Sequence, residues 1–135
     1  MSQIVNNSRI GAITSIDLTV PDAVQVRDFY QQVTGWTSSE IDVGGYNNYN
    51  MHRPTDGHVV AGVCHARGAT ADLPAQWLIY ITVDDLDRSL VRCVALGGQV
   101  LAGPNDLGEE ARYSVIQDPA GAVCALFQPV SSVEA

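Results

Sequence analysis

Residues 15–22 read SIDLTVPD and residues 78–85 read LIYITVDD, so Val20 aligns with Val83 and Asp22 with Asp85, an offset of 63 residues. An amphipathic stretch follows each copy and ends in glycine, Gly35 in the first and Gly97 in the second, an offset of 62. Such a repeat signals two copies of one supersecondary unit, which constrains the chain to build the same small structure twice. In the first copy, residues 13–20 alternate and are rich in Ile, Thr and Val, which predicts a strand. Asp22 then sits where a carboxylate accepts from the free amides of a helix start. Val26, Phe29, Tyr30 and Val33 fall at i, i+3, i+4 and i+7, one helical stripe. Gly35 supplies the left-handed residue that ends a helix.

Three strands are predicted next, near 37–43, 46–53 and 58–65, with a turn at Asp56-Gly57 or over 54–57. The second copy repeats the order: a strand over 77–83, a cap at Asp85, and a stripe of Leu90, Cys93 and Val94 before Gly97. Strands follow near 99–101, 112–117 and 122–128, the last two joined by a four-residue turn over 118–121. Residues 103–110 read as a polar loop. The fold class is therefore α+β: two tandem βαβββ modules forming a cup-shaped, partly closed mixed sheet with helices outside. A single domain covers 1–135, with module one about 10–66, a linker 66–76 and module two about 77–129.

Composition narrows function. There are 15 acidic residues against 7 arginines and no lysine, a net charge of −8. A lysine Schiff base and a P-loop lysine are excluded, and a nucleic-acid backbone is repelled. Three cysteines without CxxC spacing fit a reducing compartment. No apolar stretch approaches membrane-spanning length and no leader pattern opens the chain, so the expectation is a cytoplasmic protein with no membrane partner.

Two βαβββ modules in this length, the run Asp22…Phe29-Tyr30…Thr34-Gly35-Trp36, the Val83-Asp84-Asp85-Leu86-Asp87 segment, Gly97-Gly98 and Asp118-Pro119-Ala120-Gly121 resemble the vicinal oxygen chelate superfamily. That superfamily groups glyoxalase I, bleomycin-resistance proteins and extradiol dioxygenases. The resemblance covers about 13–129 and implies a homodimer. It also implies metal ligands, usually His or Glu, in the first and last strands of each module. Those positions fall at Ser15 and Leu78, and in the closing strands at Gly62 and Ala125. None is a strong ligand for a divalent ion, so no metal and no other cofactor is expected; a divalent metal is the minority alternative.

Strand parity names the inward residues. Asp17, Thr19, Tyr80 and Thr82 share the parity of Ser15 and Leu78. Tyr49, Met51, Gly62 and Cys64 follow if the turn before residue 58 is even. Arg112, Ser114, Ala125 and Phe127 follow from a four-residue turn at 118–121. Asp17 and Tyr80 are the candidate catalytic pair, Asp17 as a base in apolar surroundings. Tyr46, Tyr49, Met51, Cys64, His65, Arg67, Arg112, Ser114 and Phe127 are the candidate ligand-binding residues. A salt bridge from Asp17 to Arg112 is the structural alternative, as is an ordinary crossover loop at 64–68 in place of a flap. His52 and His65 are placed together on the face away from the cup, with His58 at the turn. Trp36 and Trp77 read as core or dimer-interface residues.

The functional expectation is a protein that binds or transforms a small, partly hydrophobic or aromatic organic molecule without the usual divalent metal. A metal-dependent glyoxalase-like lyase or dioxygenase is the alternative, and a ligand-free dimeric interaction module is the second.

Overall fold

The computed structural model describes residues 9–109 and 111–129. The chain divides into two compact units. One is Ser15–Leu78; the described part of the other is residues 9–14 with 79–129. The division cuts through the first strand of each repeat copy, β1 (Ile13–Val20) and β5 (Trp77–Thr82).

In the first unit β1 leads to α1 (Ala23–Thr34), then β2 (Thr37–Asp42), β3 (Asn47–His52) and β4 (Val59–His65), followed by a 3-10 turn at Gly68–Thr70. The strands lie in the order β2-β3-β4-β1. β2–β3 and β3–β4 are antiparallel and β4–β1 is parallel. The second unit repeats this with β5, α2 (Leu86–Ala95), β6 (Gln99–Leu107), β7 (Ala111–Gln117) and β8 (Val123–Pro129). Its order is β5-β8-β7-β6, with β5–β8 parallel and the others antiparallel. The α+β class and the doubled βαβββ pattern stand as read from the sequence. Among the described residues no helix is long and apolar enough to cross a membrane.

Both helix starts form as the aspartates predict. Asp22 Oδ1 accepts from the Gln25 amide at 3.0 Å and Asp85 Oδ1 from the Arg88 amide at 3.1 Å. α1 ends on Gly35 at φ 83°. α2 ends in a Schellman motif: Gly97, at φ 99°, donates to Val94 and Gly98 donates to Cys93.

Each helix covers one face of its own strands. Under α1 lie Leu18, Val20, Tyr49, Met51, Ala61 and Val63, joined by Val26, Tyr30, Trp36 and Trp77. The Trp77 indole donates to the Tyr30 hydroxyl at 3.2 Å, so both tryptophans belong to this core. Under α2 lie Leu86, Leu90 and Leu126 with Ile81, Val83, Val100 and Ile116. Gln128 Oε1 accepts from the Leu86 amide at 2.7 Å, a strand side chain satisfying a helix N-terminus.

Three local expectations change. The inward stripe of α1 is Ala23, Val26 and Tyr30, while Phe29 and Val33 are exposed. Val94 of α2 is also exposed. The polar loop expected over 103–110 is in large part strand, because β6 continues to Leu107 past an irregularity at Gly103-Pro104.

A Cβ on Gly98 would stand 2.7 Å from Cys93 Sγ and 2.8 Å from the Gln117 carbonyl oxygen. The Cys93 carbonyl oxygen is also only 3.1 Å away, and backbone does not yield as a flexible side chain does, so Gly98→Ala should cost about 2 kcal/mol of stability in urea unfolding. Gly108→Ala is the comparison: its penalty comes from a positive φ alone, with open space around the position.

Candidate functional site

The sheet faces away from the helices carry the candidate sites, and the strand registers settle which residues occupy them. In the first unit one row runs Ser39–Asn50–Gly62–Asp17 across β2, β3, β4 and β1. Thr19 pairs with Cys64 and Ile41 with Asn48 on the same face. The row beside it, Glu40–Tyr49–Val63–Leu18, belongs to the face under α1.

This corrects the expected position of Tyr49 and Met51. They pair with Val63 and Ala61, are buried, and pack in the α1 core. The expected turn over 54–57 does form, with the Arg53 amide donating to the His58 carbonyl. The parity then breaks: His52 pairs with Val59 but Met51 pairs with Ala61. Val60 is the extra residue of a β-bulge, and one extra residue sends every later side chain to the other face. Asn50 and Asn48 take the places expected of Tyr49 and Met51.

Asp17 and Gly62 are tightly matched. A Cβ on Gly62 would lie 2.5 Å from Asp17 Oδ1 and 3.3 Å from its Cγ, so the carboxylate rests across the strand where Gly62 has no side chain. The thiol of Cys64 lies near this charge. Burial first, and the Asp17 charge second, push it up to about 12. Cys64 is therefore a neutral thiol with no thiolate character.

In the second unit two rows matter. Tyr80–Ala125–Val115–Ala102 is one and Thr82–Phe127–Tyr113–Asn105 the other. Ala125 and Val115 are fully buried, and the Tyr80 and Tyr113 ring centroids lie 6.4 Å apart. Together with Phe127 they make an aromatic surface over small residues. The Thr82 hydroxyl lies 3.2 Å from that of Thr14, and backbone bonds to Gly11 and Ala12 hold residues 11–14 along β5.

Arg112 and Ser114 are not on this face. They pair with Gln128 and Leu126, on the α2 side. Arg112 makes a two-pronged contact with Asp87 of α2 at 3.1 and 3.2 Å. Ser114 is fully buried, with no hydrogen-bond partner for its hydroxyl among the described residues. The cause is again loop length. Gln117 pairs with Val123, so the turn holds five residues rather than four. Asp118 sets it by accepting from the Ala120 and Ala122 amides. Tyr113 and Val115 are the residues that the four-residue count misses.

The histidines separate. His52 Nδ1 lies 2.8 Å from the Gly57 carbonyl oxygen, which only accepts, so Nδ1 carries the proton. In the neutral ring Nε2 then accepts from Ser39, 2.7 Å away. Both nitrogens are spent on structure. His58 is exposed beside Asp56. His65 lies on the α1 side with Tyr49, against the edge of Tyr46 at 5.7 Å, and Arg67 covers Tyr46 at 3.8 Å from its centroid. His52 and His65 thus do not share a face.

The chain matches the glyoxalase/bleomycin resistance protein/dioxygenase superfamily model over residues 10–126. It belongs to that superfamily. It is 34% identical over 101 residues to CFP32 of Mycobacterium tuberculosis, a putative glyoxylase by name, covering 75% of this chain and 38% of that protein. It is 32% identical over 133 residues to the anthracycline biosynthesis protein DnrV of Streptomyces peucetius, covering 87% of this chain and 47% of that protein. The chain thus spans less than half the length of the curated relatives it matches. Among solved structures, a single-residue variant of Streptomyces coelicolor methylmalonyl-CoA epimerase matches with a TM-score of 0.56 at 17% identity, over 90% of this chain and 99% of that one. The Mycobacterium tuberculosis epimerase matches with a TM-score of 0.53 at 15% identity, over 89% of this chain and 88% of that one. At these identities the structural likeness speaks for the superfamily fold alone.

The resemblance puts the superfamily's metal ligands at Ser15, Gly62, Leu78 and Ala125. A hydroxyl, a bare backbone, an isobutyl group and a methyl group do not fit a divalent ion. Among the described residues no group of three or more His, Cys, Asp or Glu side chains is placed to hold one.

Peptide-resolved alkylation at neutral pH should leave Cys64 the least modified of the three cysteines. Asp17→Asn should lower the pH at which Cys64 begins to react, because a repelling charge is removed. The sign also fixes a stability effect. Between the ordinary thiol value of 9.0 and about 12 the unfolded chain sheds this proton and the folded chain keeps it, so stability falls as pH rises through that window.

Proposed function

We propose that this chain binds a small, partly aromatic organic molecule and does so without a divalent metal. The observation that carries this reading is the Tyr80–Tyr113–Phe127 surface over Ala125 and Val115, where the resemblance puts a ligating side chain at Ala125. Aromatic and small apolar residues with few polar groups are the usual lining of a small-molecule site. The relationship to anthracycline biosynthesis proteins favours a flat, polycyclic ligand. The first unit carries a polar patch on its own helix-free face, Asp17 laid over Gly62 with Asn50 beside it. Asp17 is proposed as a hydrogen-bond acceptor for ligand, and as the base if a proton is moved. The homodimer implied by the resemblance is part of the same proposal; sedimentation as a monomer at micromolar concentration overturns it.

Titration of an anthracycline followed by its own fluorescence tests the binding. Tyr113→Ala should weaken it about two- to tenfold, the worth of one aromatic contact. Arg112→Ala should leave it unchanged. Absence of saturable binding, or equal loss in both variants, overturns the assignment of this face. Metal analysis after dialysis tests the other half: stoichiometric zinc, nickel, iron or manganese overturns metal independence.

A further inference from the structure

Arg67 is bound to an aromatic ring where other arginines of the chain are bound to acids. Arg27, Arg53, Arg88 and Arg112 lie 2.8, 2.7, 3.7 and 3.1 Å from Asp28, Asp56, Asp85 and Asp87. No carboxylate of the described residues comes within ion-pair distance of Arg67, although acids outnumber arginines 15 to 7. Its guanidinium lies over Tyr46, 3.8 Å from the centroid. A guanidinium covered on its face still has its edge donors to give, and that fork matches a carboxylate or phosphate in two-point contact.

The platform is anchored in the core. Tyr46 meets the His65 ring edge-on at 5.7 Å, His65 meets Tyr49 at 6.5 Å, and Arg27 lies 4.6 Å over Tyr49, which is buried. The His65 amide is held by Asn48 Oδ1 at 2.9 Å, and the Arg67 amide by Thr70 Oγ1 at 3.2 Å. The chain that carries both side chains is thus fixed on either side of them. A site already held in its binding geometry loses little entropy when it binds.

We propose that Arg67, stacked on Tyr46 beside His65, is a binding site for a small oxyanion, the carboxylate or phosphate group of an organic molecule. It stands apart from the proposed Asp17 patch of its own unit: His65 and Tyr49 lie on the α1 side of the sheet, and Cys64 and Asp17 on the other. Its test therefore does not depend on that reading.

The test is NMR of the isotope-labelled full chain, titrated separately with inorganic phosphate and with acetate at constant ionic strength. The Arg67 side-chain N–H and the His65 amide should shift saturably in the millimolar range. Saturation with phosphate alone, acetate alone, or both identifies the source of the oxyanion and supports the site. Arg67→Gln should abolish the His65 response; Arg67 is exposed, so this variant keeps its fold. Tyr46→Leu should weaken binding about two- to fivefold by removing the cation–π platform. Linear, unsaturating shifts with both anions overturn the proposal, as does a His65 response that survives in Arg67→Gln.

Discussion

Everything in this molecule rests on two-faced strands, of which each unit buries one face under its own helix. A strand alternates its side chains, so the choice of buried face is one binary decision per strand. In the first unit Leu18, Val20, Val63 and Met51 make that decision by needing cover from α1. In the second, Leu126, Ile81 and Ile116 make it by needing cover from α2. The opposite faces are what remains, and there the chain places Asp17, Cys64 and Asn50 in one unit and Tyr80, Tyr113 and Phe127 in the other. Apolar cover thus fixes the chemistry indirectly.

The small residues Gly62 and Ala125 give these faces their character. Gly62 admits the Asp17 carboxylate, which no other residue type at that position would do without displacement. Ala125 is fully buried beside its strand neighbours Tyr80 and Val115. Of the positions where the resemblance puts metal ligands, Gly62 and Ala125 carry no ligating side chain. Cys64, close to a carboxylate and largely buried, is kept as a thiol and contributes shape rather than reactivity.

Much of this is legible in the chain itself. Two repeat copies, both aspartate caps, both glycine stops and the superfamily are readable because they depend on local chemistry and spacing. Asp17, Tyr80 and Phe127 can be assigned a face because β1, β5 and β8 are counted from fixed helix and turn landmarks. Tyr49, Met51, Arg112 and Ser114 cannot. Each lies beyond a turn or bulge, and a single-residue difference there inverts the alternation. Aspartate at position 118 is compatible with a four- or a five-residue turn, and only the Ala120 and Ala122 amides bonding to it decide. Val60 carries no mark of a bulge; the pairing of Met51 with Ala61 creates it. Nor does the sequence separate His52 from His65, or show that Arg67 rests on Tyr46.

What the sequence determined alone was therefore the doubled βαβββ plan, the acidic and lysine-free charge balance, and the residue types at the four positions where the resemblance puts metal ligands. These follow from residue identity and short-range periodicity. Tertiary structure decided which side chains share a face, which carboxylate meets which guanidinium, and how Asp17 lies over Gly62. Such outcomes belong to pairs of residues distant in the chain, and their energies exist only once strands are in register.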